Sequence, residues 1–563
     1  MFDRFNDGVL GNSLSRQSSL RAGKLASPAS GRHHGLSRRH FLAYSSLLAA
    51  TPWLGYSAAV AASQVVSDSV SLPSDPFTLG IASGDPDHQS VVLWTKLAPA
   101  PLEVGGGMPA QAIPVRWQLA EDDAMTKVVR SGEVIAVPEL GHSVHVEVSN
   151  LQPDRWYFYR FTCAGSQTVV GRTRTMPAPG ATPGQLRFAV ASCQHFETGH
   201  YTAYKHMAAE EFDLVFHLGD YIYEGAGRDG LLRRHERGLL MTLADYRIRH
   251  AQYRSDKFLQ AAHARCPWFV TWDDHEVSNN YADEIDGRVG LTPAQFLERR
   301  AAAYQAYYEM MPLRAASLPK GPDMQLYRAA SFGNLAQFNV LDTRQYRTDQ
   351  PNNDRRSPLN DAALNPANTI LGAPQKQWLK DSLAASSARW NVLAQQVMVG
   401  MLARPSLNTP DDAAKPETDD HTYSMDSWSG YAHERIDLVR FLAERKISNP
   451  VVLTGDVHAN FLNELRVDDR QHDRPVVATE FVGTSISSGG DGNDRPNNLD
   501  WMLSNNPGLK FHNRQRGYMA CTITPARWLT EYKVVDKVTA PDSPIKTRAA
   551  FVVESGDPTA KPA

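Results

Sequence analysis

Residues able to hold metal ions stand at the ends of five apolar runs. LRFAVAS leads into Cys193-Gln194-His195, and DLVFHLG into Asp220-Tyr221-Ile222-Tyr223-Glu224. CPWFVTW ends at Asp273-Asp274-His275-Glu276, followed by Asn279-Asn280. AQFNVLD ends at Asp342-Thr343-Arg344, and NPVVLTG at Asp456-Val457-His458. Any one of these clusters is compatible with a helix cap or a turn aspartate. Five strand-like runs that all end this way are not what capping produces. Carboxylates that converge without cations repel one another, so some stay protonated or the site opens. Bound multivalent cations remove that conflict. Asp and Asn oxygens suit Ca²⁺, Mg²⁺ or Mn²⁺, whereas thiolate, imidazole and phenolate favour a transition metal, the phenolate especially a ferric ion. The mixture reads as a mixed-metal centre.

A nucleophilic Cys193 with His195 or His275 as its base is the competing chemistry. Against it, no phosphate-cradling glycine-rich loop follows this cysteine, and no G-x-S-x-G elbow is present. GTSISSGGDGND (483–494) lacks the G-K-[ST] end of a P-loop and reads as a flexible rim to the site. His206, His250, His263 and His433 read as surface or packing residues.

The elements must bring those strand ends to one rim. From residue 185 the apolar runs alternate with longer amphipathic stretches such as LTPAQFLERRAAAYQAYYEMM, the pattern of strands buried on both faces between helices. The reading is a layered α/β domain over 185–536, whose parallel strands would gather Cys193, Asp220, Tyr223, Asp274, Asp456 and His458 at their carboxyl ends. Before it, residues 77–176 carry short Val/Tyr/Phe/Trp-rich strands separated by Gly, Pro, Asn and Asp, the pattern of a β-sandwich. MPAPGATPG (176–184) marks the boundary, and 537–563 reads as a polar C-terminal tail.

The chain has 563 residues, 42% hydrophobic and 21% charged, which excludes a disordered chain. Its formal charge is −3; residues 1–61 carry +5 of it, leaving −8 for the remainder. No basic surface for a nucleic-acid partner is implied. Arg38-Arg39 stand directly before 27 uncharged residues (41–67) of weak hydrophobicity, and Ala59-Val60-Ala61 supplies a processing pattern. This reads as a cleaved Tat signal over 1–61 and a periplasmic or secreted product, rather than as a membrane anchor. Tat export carries a chain folded in the cytosol, so Cys163, Cys193, Cys266 and Cys521 are expected as free thiols. The mature protein is expected not to be embedded in the membrane.

At these motifs the sequence resembles the alkaline phosphatase D (PhoD) family of metallophosphoesterases. FTLGIASGDPDHQSVVLWTKL resembles its fibronectin-like N-terminal domain. HLGDYIYE, TWDDHEVSNNY, GPDMQLYR, FNVLDTRQYR, NVLAQQ, VVLTGDVHANF and EFVGTSISSGG resemble its catalytic domain, in order. The resemblance implies a four-layer αββα core holding one Fe³⁺ and two Ca²⁺. Cys193, Asp220, Tyr223 and His458 would surround iron. Asp220 would also bridge to calcium, with Asp274, Asn279 or Asn280, and Asp456 supplying further oxygens. Three departures from the general metallophosphoesterase pattern put oxygen where nitrogen is usual: Asp273-Asp274-His275-Glu276, Gly455-Asp456-Val457-His458, and Gln395-Gln396 at a place open to a ligand histidine.

The expected activity is metal-dependent hydrolysis of phosphoesters outside the cytoplasmic membrane, with a metal-bound hydroxide or oxide attacking phosphorus in line. His275, with Asp274 beside it, is the catalytic candidate, as donor of a proton to the leaving alkoxide. An orienting role for His275 is the alternative. Arg344 is the candidate for compensating substrate phosphate charge, or else forms a structural ion pair. Small phosphoesters, phospholipid or teichoic-type phosphodiesters, and the Tat machinery are the expected partners. Phospholipase D-like cleavage, or a non-catalytic exported binding protein, are the other readings.

Overall fold

The computed structural model describes Leu72 and residues 74–404 and 421–563. The expected Tat signal, 1–61, lies outside the described residues.

The first strands are Ile81–Gly84 (β1), Val91–Lys96 (β2), Ile113–Ala120 (β3), Val128–Ala136 (β4), Ser143–Val148 (β5), Trp156–Cys163 (β6), Ser166–Gln167 (β7) and Gly171–Arg174 (β8). In β6 buried and partly buried residues alternate, as a strand with one face on a core requires. Tyr157, Tyr159 and Phe161 from it meet Ile81, Leu93 and Val146 in one apolar cluster. β3, β4, β6, β7 and β8 form one sheet over that cluster; β1, β2 and β5 lie on its other side.

Those three strands do not end at a domain boundary. The chain continues through Leu186–Ala191 (β9), Leu214–Leu218 (β10), Trp268–Thr271 (β11), Arg328–Phe332 (β12), Ala336–Val340 (β13), Trp390–Ala394 (β14), Pro450–Thr454 (β15), Asn460–Leu465 (β16), Ala478–Val482 (β17), Leu509–Asn513 (β18), Gly517–Ile523 (β19), Arg527–Val535 (β20), Ile545–Glu554 (β21) and Ala560–Pro562 (β22). Among the described residues a ten-stranded sheet runs β22-β21-β20-β19-β9-β10-β11-β1-β2-β5. Gly84 of β1 pairs in parallel with Trp268 of β11, so the N-terminal strands extend the larger sheet. Buried Lys96 adds a tie, donating to Glu309 (3.1 Å). Residues 537–563, read as a tail, instead carry β21 and β22, which complete that sheet's far edge.

A seven-stranded sheet runs β12-β13-β14-β15-β17-β16-β18. Alternation along the fully buried strands builds the layers. Leu186, Phe188 and Val190 of β9 join Trp390, Val392 and Ala394 of β14 in one cluster between the sheets. Ala189 and Ala191 turn the other way, toward a cluster with Tyr204, Tyr246, Leu259 and Phe296 of helices Thr202–Ala209 (α1), Leu243–Arg254 (α2), Lys257–His263 (α3) and Pro293–Met310 (α4). Leu393 and Val452 likewise meet Leu379 and Leu438 of Gly372–Ala385 (α5) and Ala432–Glu444 (α6). The expected long helix begins where Thr292 and Gln295 form a capping box ahead of Pro293. No helix among the described residues is long and apolar enough to cross a membrane.

Within each sheet the central strands are parallel: β9, β10 and β11 in one, and β13, β14, β15 and β17 in the other. Their carboxyl ends are joined across the sheets, since Ile486 N–H donates to Ser192 O (3.0 Å) and Gln396 Nε2–H to Thr271 Oγ1 (2.9 Å).

Candidate metal centre

The residues that end these strands share an unusual backbone. Cys193 (φ 58°), Asp220 (φ 55°), Asp456 (φ 63°) and His458 (φ 50°) are all left-handed, a conformation costing roughly 1–2 kcal/mol outside glycine. Such strain persists where the surroundings enforce it and clusters at functional sites. The enforcing contacts are visible. Cys193 N–H donates to Gly219 O and Gln194 N–H to Asp220 O (both 3.0 Å), fastening the end of β9 to the corner after β10. Gly219 itself (φ 99°) has no room for a side chain, because a Cβ there would lie 2.4 Å from Asp273 Cβ. Buried Glu276 accepts from the amides of Asp220 (3.2 Å), Tyr221 and Asp273 (2.8 Å), which holds two strand ends together.

These corners bring together most of the expected residues. Ligand atoms of Cys193, Asp220 and His458 lie within 4.8 Å of one another, as do those of Asp220, Asp274 and His275. Tyr223 belongs to the first group: its hydroxyl is 2.8 Å from Asp220 Oδ2 and 3.0 Å from His458 Nε2. Asp220 is common to both groups, and its Oδ1 is buried with no hydrogen-bond partner. Burial, then the neighbouring carboxylates of Asp274 and Asp273 against His275, push Asp220 well above the usual carboxylate range. Asp456 is pushed the same way by burial and by Asp273 and Asp426. Burial and Asp220 likewise raise the Cys193 thiol. Burial and neighbouring anions thus disfavour the charged forms of Asp220, Asp456 and Cys193, a conflict that cations would relieve, and the donors fit two kinds: sulfur, imidazole and phenol on one side, carboxylate oxygen on the other.

Asp274 Oδ2 accepts from Asn280 N–H (2.7 Å) and Oδ1 from His275 N–H (2.8 Å). Burial resists its ionisation, yet His275 and Arg344 offset that and hold it at about 2. Of the two asparagines, Asn280 reaches Asp354 Oδ2 with its amide (2.5 Å), while Asn279 gives its main-chain N–H to Glu224 Oε1 (3.0 Å). His275 Nδ1 is 2.6 Å from Glu224 Oε2, and its ring lies 4.2 Å from that of Tyr223. Burial opposes protonation of His275, but Asp274, Glu224 and Asp220 outweigh it and raise its pKa well above the ordinary value.

Three expectations change. Arg344, the candidate phosphate contact, is 0% exposed. Its Nε donates to Asp273 Oδ1 (2.6 Å), and Nη1 and Nη2 grip both oxygens of Asp426 (2.7 and 3.0 Å). The structural ion pair is the role its geometry supports. Gln395 and Gln396 are committed between strands, to Thr454 Oγ1 (2.6 Å), and to Thr271 and Thr343, so neither faces the cluster as a ligand. The 483–494 loop, read as a flexible rim, is buried over Thr484–Ser488. Ser488 Oγ lies 2.7 Å from Tyr223 Oη, donates to Cys193 O (2.7 Å) and accepts from His195 N–H (3.0 Å). All four cysteines are free and buried.

Residue patterns alone missed Ser488, Glu224, Glu276 and Asp426. Glu224 and Glu276 carry a usable signal, since both close strand-end motifs. Asp426 has none; only the fold sets it against Arg344 and Arg347 (2.7 Å). His195, Glu197 and His235 form a further group of metal-competent side chains. Both His235 nitrogens face other partners, Gly225 O (3.2 Å) and Tyr253 Oη (3.0 Å), which makes it a packing network.

A family model described as PhoD-like phosphatase matches residues 188–532, and one described as PhoD-like phosphatase, N-terminal domain, matches 61–177. Alkaline phosphatase D of Bacillus subtilis (strain 168) is 54% identical over 486 residues, which is 85% of this chain and 81% of that protein. The solved structure of PhoD superposes with a TM-score of 0.83 at 51% identity, covering 88% of this chain and 93% of the other.

Proposed function

The chain belongs to the PhoD-like phosphatase family, and from that premise we propose that it is an exported, metal-dependent hydrolase of phosphomonoesters and phosphodiesters. The carrying observation is the convergence of Cys193, Tyr223 and His458 on Asp220, a buried carboxylate whose second oxygen, Oδ1, has no protein partner. That donor set fits a ferric ion. Asp220, Asp274 and Asp456, with the Asn279-Asn280 turn, fit calcium, as hard oxygens do. Cations so held would supply Lewis acidity to the phosphoryl group and make water more acidic.

The protein's own part is arrangement. Asp220 belongs to both groups, so it fixes the distance between them. His275 stands beside Asp220 and Asp274 and is the residue we assign to protonating the leaving alkoxide, a role worth roughly 10²–10⁴-fold. Arg344 keeps Asp273 and Asp426 ionised and in place without touching substrate. Residues 1–61 would direct Tat export to the periplasm or beyond.

Metal analysis with an absorption spectrum tests this reading. The purified enzyme should contain iron and calcium and show a visible tyrosinate-to-iron band, which Tyr223→Phe removes. An iron-free, colourless and fully active protein would overturn the assignment.

A further inference from the structure

Glu224 has no part in the reading above, yet it is among the most constrained acids in the site. It is fully buried. One carboxylate oxygen accepts the Asn279 N–H (3.0 Å), with Arg288 Nη1 at 3.5 Å; the other is 2.6 Å from His275 Nδ1. Both oxygens are taken up by protein donors, so Glu224 holds residues of the site in place. The His275 ring is held between this bond and the Tyr223 ring at 4.2 Å. Its main-chain N–H is meanwhile fastened to Asp274 (2.8 Å). With Nδ1 engaged as a donor to a carboxylate, Nε2 is the nitrogen left to serve the centre.

We propose that Glu224 is a positioning residue for the leaving-group step: by holding the proton on Nδ1 and the orientation of the ring, it aims Nε2 so that the second proton of the His275 imidazolium points at the departing oxygen. The inference rests on the phosphatase reading of the centre. In the step, the P–O bond to the leaving group breaks and its electron pair stays on the alkoxide oxygen. The Nε2 proton passes to that oxygen and gives the alcohol. Water supplies the new P–O bond, and the proton it sheds to solvent matches the one that later restores Nε2–H. The Nδ1 proton stays on the bond to Glu224 throughout. A group that serves only to protonate the leaving oxygen matters most when that oxygen is a poor leaving group. A group that merely supports the fold or the metals makes no such distinction.

The test is Glu224→Gln, which keeps shape and removes charge, compared with His275→Asn and the double variant. Each is assayed on p-nitrophenyl phosphate and on an alkyl phosphate, with metal content measured alongside. The expected result for Glu224→Gln is metal content equal to wild type, a loss of about 10–100-fold on the alkyl ester, and a much smaller loss on the nitrophenyl ester. The double variant should be no slower than His275→Asn alone, since coupled residues are not additive. Equal losses on both esters, additive losses in the double variant, or loss of metal would each overturn the proposal. A wild-type enzyme that is fully metal-loaded and hydrolyses neither ester would instead sink the reading of the centre itself.

Discussion

The two sides of the site are built by different means. On one, Cys193, Asp220 and His458 sit on left-handed corners after β9, β10 and β15; main-chain hydrogen bonds tie the first two corners together, and the Arg516 guanidinium holds His458 O. On the other, Asp273, Asp274, Asp426 and Asp456 surround the Arg344 guanidinium, which lies 2.6 Å from Asp273 of the opposite sheet and 4.0 Å from Asp456, itself on a left-handed corner of Arg344's own sheet. The first side is a product of chain geometry, and its donors are a thiol, an imidazole and the Tyr223 phenol gathered on the shared Asp220. The second is a product of one buried charge, and its donors are all carboxylates. Nearby anions of both kinds therefore need not share a fate when a single residue is lost.

Asp220 is the place to break that distinction, because both groups use it. Asp220→Asn should cost more than the roughly 10–100-fold that loss of an outer partner costs in metal affinity or activity. Metal analysis should show both classes of ion depleted. If only one class disappears, the sides do not meet at Asp220.

Arg344→Met should separate them. It strands Asp273 as a buried, unpaired carboxylate, a situation that costs about 3–5 kcal/mol, while Asp426 keeps Arg347 (2.7 Å) and Gln350 (2.8 Å). Burial already pushes Asp273 up to about 6 with the arginine present. The expected outcome is a clear drop in thermal midpoint and in calcium content, with the visible band kept. An unchanged midpoint would show that Arg344 is not the scaffold of the carboxylate side.

The asymmetry also explains what could be read from the amino acids alone. Cys193, Asp220, Tyr223 and His458 were legible because each follows a continuous apolar run, and parallel strands buried on both faces must end on one rim. Arg344 was legible as a residue and ambiguous as a role, since its partner Asp426 lies 82 residues away with no pattern to announce it. Ser488 hid in a Gly/Ser-rich stretch whose composition suggests mobility; its hydroxyl bonds decide otherwise. The boundary after residue 176 hid a sheet shared between β1 and β11, because strand pairing across some 180 residues leaves no local mark. Residues 545–554 looked like tail because β21 is near a sheet edge, with mostly solvated positions that read as polar.

The smallest effect addresses the corner-built side alone. The Ser488 hydroxyl bonds within this side, 2.7 Å from both Tyr223 Oη and Cys193 O and 3.0 Å from His195 N. If Tyr223 binds as phenolate, the serine can donate to that oxygen and stabilise its charge, a hydrogen bond to a charged group worth about 1.5–3 kcal/mol. Ser488→Ala should then raise the energy of the phenolate electrons and move the visible band to longer wavelength, with about a tenfold weaker hold on the transition metal. Calcium content should stay near wild type, while the thermal midpoint falls slightly, because His195 N–H and Cys193 O of the same corner lose their serine partner. A band that keeps its position would mean that Ser488 spends its proton on Cys193 O, and that the tyrosine is tuned by Asp220 and His458 instead.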